Sequence, residues 1–217
     1  SSLEPWLRDD DEVVVVDWES DAARVALLAR AHPRVRIEGR RGNRGFAAGV
    51  NAAAALTTAP LLILLNPDTV VEGPLPQVMA DWFAAHPECV VAGPRILNAD
   101  GTVQPSARRF PDLTTAAGGR STWLTRRFPN NWFSRRNLLS ETDRAAADVR
   151  AVDWLAGSCF ATPRRVFDAV GGLDEGFFMY WEDADYCRRA AAQHGGCHYV
   201  PTVSVRHTGG VSSAQNV

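Results

Sequence analysis

The chain has 217 residues, 46% of them hydrophobic, and a formal net charge of −2. Those values suit one domain with a buried core and exclude the basic field that binding duplex nucleic acid requires, so no nucleic-acid partner is expected. Lysine is absent, which leaves arginine forks, backbone N–H groups or a metal to grip any phosphate.

In chain order, Leu3–Glu12 reads as the end of a helix, and Val13–Val16 as a buried parallel strand. Asp17 follows, and Ser20 or Asp21 can cap a helix over Ala22–Ala31. Val35–Ile37 is a short strand, Gly42–Gly45 a turn, and Phe46–Thr58 an alanine-rich helix. Leu61–Leu65 is a second buried strand ending at Asn66-Pro67-Asp68; a helix over Pro76–Ala85 and a strand over Cys89–Ala92 come next. This alternation predicts an α/β fold with a mostly parallel central sheet. A sheet of this kind usually opens on a strand, so a first strand is expected to be missing from the chain.

From Gly93 to Val149 the rhythm breaks into an irregular region too long for an ordinary connection. Within it Arg120, Arg126, Arg127, Arg135 and Arg136 surround Trp123, Phe128, Trp132 and Phe133. That composition suits a solvated loop or a surface meeting a lipid headgroup or diphosphate. Regular structure returns at Val152–Leu155, with a helix from Pro163 to Val170 stopped by Gly171-Gly172. A helix over Asp183–Gln193 and short strands over Cys197–Val200 and Val203–His207 complete the pattern. Cys89, Cys159, Cys187 and Cys197 form no CxxC pair and read as buried free thiols. No apolar run is long enough to span a membrane, so a soluble or peripheral protein is expected.

Chemistry gathers at a few points. Asp17 and Asp68 end strands, where α/β sheets bind ligands. Asp68 suits a hard divalent cation shared with phosphates, although Pro and Asp are also ordinary turn residues. Glu182, Asp183 and Asp185 crowd a helix start. They can cap it, or repel one another and raise one pKa toward that of a useful base. The run Phe177–Trp181 before them walls a site or packs a core. His207, ending a strand, is a ligand only where it meets Asp68.

Together these stretches resemble the family-2 inverting glycosyltransferases with the GT-A fold. The likeness rests on Val14–Asp17, Asn43–Phe46 with Gly49 and Asn51, Asn66-Pro67-Asp68, Trp154–Cys159, Val170–Glu175, Phe178–Asp185 and His207. It spans nearly the whole chain. Pro105–Arg108 and Trp154–Cys159 carry a narrower likeness to actinobacterial rhamnosyltransferases that act on polyprenyl-diphosphate-GlcNAc. The resemblance implies one glycosyltransferase domain over 1–217: a nucleotide-binding half over about 1–92, the irregular region over 93–149, and an acceptor and catalytic half over about 150–210. It implies donor contacts from Asp17, Asn43, Gly45, Asn51, Asn66, Asp68 and Gly157. Asp68 and His207 would hold Mg2+ or Mn2+, and Asp183, with Glu182 beside it, would be the catalytic base. The donor would be a nucleotide-diphosphate sugar, with dTDP-rhamnose favoured. The acceptor would be a saccharide or polyprenyl-diphosphate-saccharide, met in the cytoplasm or at the inner face of the membrane. A UDP- or GDP-sugar donor, or a degenerate sugar-nucleotide-binding module, are the alternatives. Trp18 stands where the family usually has Asn or Asp, and Asn66 replaces the first acid of the family's DxD element.

Overall fold

The computed structural model describes residues 2–18, 20–110 and 148–209. A 3-10 turn at Glu4–Trp6 replaces the expected helix end. The polar run after it, Arg8–Glu12, has no apolar face to bury.

β1 (Val13–Trp18) and β2 (Val35–Arg40) pair in parallel, from Val13–Val35 to Trp18–Arg40. α1 (Ala22–Ala31) connects them, and the Arg24 N–H donates to Asp21 Oδ1 at 2.7 Å, satisfying one donor of its first turn. Among the described residues no ladder joins this pair to other strands, and no residue of β1, α1 or β2 is buried. Val13–Val16 is thus parallel, as expected, but not buried. The strand is paired along one edge only, and Val15 stays 43% exposed.

The remaining elements are α2 (Gly45–Ala54), β3 (Leu61–Leu65), β4 (Thr69–Val71), α3 (Leu75–Ala85), β5 (Cys89–Leu97) and β6 (Ala107–Arg108). After them come β7 (Arg150–Val152), β8 (Trp154–Leu155), β9 (Cys159–Pro163), α4 (Arg164–Ala169), α5 (Glu182–His194) and β10 (Gly196–His207). The main sheet runs β3-β9-β5-β10-β4, with β7 also on β10. β3, β5 and β10 point one way; β9, β4 and β7 run against them. The sheet is therefore mixed rather than mostly parallel. β9 is the main reason. Its short apolar run before Pro163 has no period that separates a strand from the start of a helix. β10 is one strand where two were expected. Pro201 cannot donate to the ladder, and the register is irregular between Tyr199 and Ser204.

Two apolar clusters flank this sheet. One gathers under α5 and α4 around Phe160, Phe167, Tyr186 and Leu155. The other lies beneath α3 around Leu75, Met79, Ile96 and Val205. α5 is fixed deeply. The fully buried Tyr186 donates its hydroxyl to Thr162 Oγ1 at 2.7 Å, and Thr162 donates onward to Val90 O at 2.8 Å. At its outer side Arg189 bonds Asp185 Oδ2 at 2.7 Å, Val170 O at 2.7 Å and Gly172 O at 2.9 Å. All four cysteines are buried and free. Among the described residues no helix is long and apolar enough to cross a membrane.

Candidate active site

The turn after β3 carries Asp68 to the end of β10. The Thr208 N–H and Oγ1 both donate to the Asp68 carbonyl at 3.0 Å. This places His207 Nε2 3.2 Å from Asp68 Oδ1, with the side chains only 16% and 11% exposed. At this separation the two atoms can share a hydrogen or a metal ion. On its far side, His207 Nδ1–H donates to Gln104 Oε1 at 3.1 Å. A metal-binding imidazole uses its second nitrogen in this way. Among the described residues no cluster of three or more His, Cys, Asp and Glu side chains forms. Two protein ligands, with the rest left to phosphate oxygens and water, fit Mg2+ or Mn2+. They do not fit a structural Zn2+ site, which needs four protein ligands.

Asn66 ties this corner to the next one. Its N–H donates to Ser158 O at 3.1 Å, and its carbonyl accepts the Thr69 hydroxyl at 2.5 Å. One residue earlier, Gly157 N–H donates to Asp183 Oδ2 at 2.7 Å; Ala184 N–H donates to Asp183 Oδ1, also at 2.7 Å. A hydrogen-bonded path thus runs from the Asp68 turn to the head of α5. Burial pushes the Asp183 carboxyl above the ordinary Asp value, against the two N–H bonds and the Arg108 charge, which pull it down. Each carboxylate oxygen keeps a further lone pair for an incoming hydroxyl. Glu182 is also raised, by burial first and then by the Asp183 charge. It is only 6% exposed, and its Oε2 has no hydrogen-bond partner. Of the two acids, Asp183 is the less buried.

The loop before α5 is strapped across the start of α2. Phe46 N–H donates to Phe178 O at 3.3 Å. Gly45 has φ +89°, and a β-carbon there would stand 2.2 Å from the same oxygen, so only glycine permits the approach. Asn43 Oδ1 accepts the Gly45 N–H at 2.9 Å. Asn51 holds the loop from below: its amide donates to Leu173 O at 2.8 Å and accepts Leu173 N–H at 3.0 Å. Tyr180 and Trp181 then follow at φ 71° and 76°. Left-handed backbone at a non-glycine residue costs roughly 1–2 kcal/mol. The aromatic run is not core: Phe178, Tyr180 and Trp181 are each more than half exposed.

Asp17 lies at the carboxyl end of β1 and pairs with Gly39. Trp18 packs its indole against Gly49 of α2. Of the expected donor residues, Gly157 and Asn51 spend their polar groups on Asp183 and on the 173–175 loop. In this structure they position other groups. The Arg- and Trp-rich stretch Arg120–Arg136 lies outside the described residues. Sequence reasoning missed Gln104 and the Gly45–Phe178 contact. Gln104 sits in an irregular stretch 103 residues from His207. Of the strap contact, only the glycine was visible.

The fold is that of the GT-A nucleotide-diphosphosugar transferases. It is shared with the solved structure of GalNAc-T7 with UDP, GalNAc and Mn2+, at TM-score 0.67 and 13% identity over 96% of this chain and 40% of that one. It is also shared with a mannosyltransferase from Pyrobaculum calidifontis in complex with GDP-Man and Mn2+, at TM-score 0.55 and 20% identity over 92% and 48%. The family model described as "Glycosyltransferase like family 2" matches residues 8–217, and the chain belongs to that family. It is 30% identical over 206 residues to an N-acetylglucosaminyl-diphospho-decaprenol L-rhamnosyltransferase of Mycobacterium tuberculosis, covering 90% of this chain and 66% of that protein. The chain spans about two thirds of that relative's length.

Proposed function

We propose that the chain is the catalytic domain of an inverting glycosyltransferase that moves L-rhamnose from dTDP-rhamnose to a hydroxyl of a polyprenyl-diphosphate-linked saccharide. The observation that carries this reading is the bonded path between the Asp68–His207 pair and Asp183. It links the pair that would hold a metal on the donor diphosphate to the carboxyl that would serve as base. The choice of sugar and acceptor is supported by the mycobacterial relative.

Asp68 and His207 would hold the divalent cation, with Gln104 fixing the imidazole. When bound, the cation neutralises charge on the leaving diphosphate. Asp17 and Asn43, at the ends of β1 and β2, would meet the nucleoside. Asp183, aimed by the Gly157 and Ala184 N–H groups, takes the acceptor hydroxyl proton as that oxygen attacks the anomeric carbon. Attack opposite the diphosphate inverts the centre in one step. With a polyprenyl-linked acceptor, the reaction takes place at the inner face of the membrane.

Thermal unfolding with dTDP, UDP and GDP, each with and without Mn2+, tests the reading. A nucleotide at about 100 times its Kd adds roughly 2.7 kcal/mol, or about 5–10 °C for a chain of this size. A shift requiring both Mn2+ and dTDP supports rhamnose transfer. A shift with UDP or GDP alone changes the donor, and no shift with any diphosphate overturns the reading.

A further inference from the structure

The exposed ring of Trp181 has no part in the core, the metal corner or the proton transfer, yet it stands two residues before the base. Trp181 precedes the first turn of α5, where its carbonyl accepts the Asp185 N–H at 2.9 Å. It is 59% exposed, whereas its neighbour Trp154, centred 6.2 Å away, is 7% exposed. Trp154 is itself fixed from two directions. Its Nε1–H donates to Arg109 O at 3.3 Å, and the Arg108 guanidinium lies 4.9 Å from its ring centre. The two indoles form a tilted pair with an anchored inner ring and an accessible outer one.

We propose that Trp181, backed by Trp154, is the platform on which the sugar ring of the acceptor lies while Asp183 receives its hydroxyl proton. This inference rests on the glycosyltransferase reading and adds to it the residue that selects the acceptor. A hydroxyl within hydrogen-bond reach of Asp183 brings its own ring to the first turn of α5. A pyranose has apolar C–H faces and a polar rim, which suits an exposed indole face two residues before a carboxylate. The backbone supports the assignment. Left-handed residues fall at Tyr180 and Trp181, both exposed, directly after the strap between Phe178 O and the Phe46 N–H. Strain held in place by surrounding contacts is typical of ligand clamps. Tyr180 is equally exposed but has no ring partner among the described residues.

The test combines kinetics with ligand-observed NMR on the full chain. The probes are a short-chain prenyl-diphosphate-GlcNAc acceptor for transfer, and methyl N-acetylglucosaminide and geranyl diphosphate separately for binding. Trp181→Ala is expected to raise the acceptor KM about tenfold or more, the scale of losing one well-packed aromatic contact. It should leave kcat and the Mn2+-dependent nucleotide shift unchanged and abolish saturation transfer to the methyl glycoside. Trp181→Phe should restore most of the binding. Trp181→Gly, which relaxes the left-handed backbone, should raise Tm while losing the sugar signal. A purely structural role would move stability and binding together. An unchanged sugar signal in Trp181→Ala overturns the proposal, whether or not the geranyl diphosphate signal falls. If wild type transfers no sugar, the glycosyltransferase reading has failed, and the sugar signal still decides whether the platform exists.

Discussion

β5 is fully buried from Cys89 to Ala92, while none of Val13–Val16 in β1 is buried. Both are four-residue apolar runs. β5 has β9 and β10 along its two edges, with α3 and α5 packed against it. Among the described residues β1 pairs with β2 alone and has only α2 packed against it, within a unit whose Leu27 is 67% exposed. A strand's burial is decided by what flanks it, not by its own hydrophobicity. The consequence is a division in packing between the candidate site residues. The Asp68–His207 pair and Asp183 stand on the deeply packed part. Asp17, on the shallow part, sits where local opening should be cheap.

Gly45 is where the regions meet, so changing it strikes the comparison hardest. Gly45→Ala should destabilise the fold by roughly 2–4 kcal/mol, from the positive φ and the clash with Phe178 O, and chemical denaturation measures this. His207→Ala, confined to the rigid corner, should weaken Mn2+ binding about 100-fold without lowering Tm comparably. Gln104→Ala should cost nearer tenfold, as outer partners of metal ligands do. Calorimetric titration in the presence of nucleotide diphosphate separates the two. Amide exchange sharpens the contrast itself: β1 and β2 should exchange at least about tenfold faster than β5 and β10, with a bound nucleotide narrowing the gap. Equal protection would erase the division. The smallest effect concerns Glu182. Its folded pKa is raised, so its contribution to stability is complete below the ordinary Glu value of about 4.3. That contribution is lost as pH rises through the folded value. Glu182→Gln should therefore gain Tm relative to wild type as pH increases across that window.

Much of this was legible in the sequence, for identifiable reasons. Asp17 near the end of one apolar strand, Asp68 in the turn after another, and acids heading α5 are local patterns. So is the Asp21 cap. The strand β9 was hidden because Cys159–Thr162 is too short to show a period. Gln104 was hidden because its partner is 103 residues away. Gly157 and Asn51 were visible as motif residues, but their hydrogen bonds, to Asp183 and Leu173, exist only in the folded chain. Phe177–Trp181 was ambiguous because an apolar run looks the same in a core and on an exposed loop.

The central claim is that Asp183 is the base, and the pH dependence of kcat/KM for wild type and Asp183→Asn tests it most directly. Wild type should lose activity as pH falls through a value above the ordinary Asp pKa of about 3.9, because the buried carboxyl must be ionised to act. The variant should be slower by about 10²–10⁴ and lack that acid limb. A loss of less than about tenfold, with the limb intact, would contradict the account.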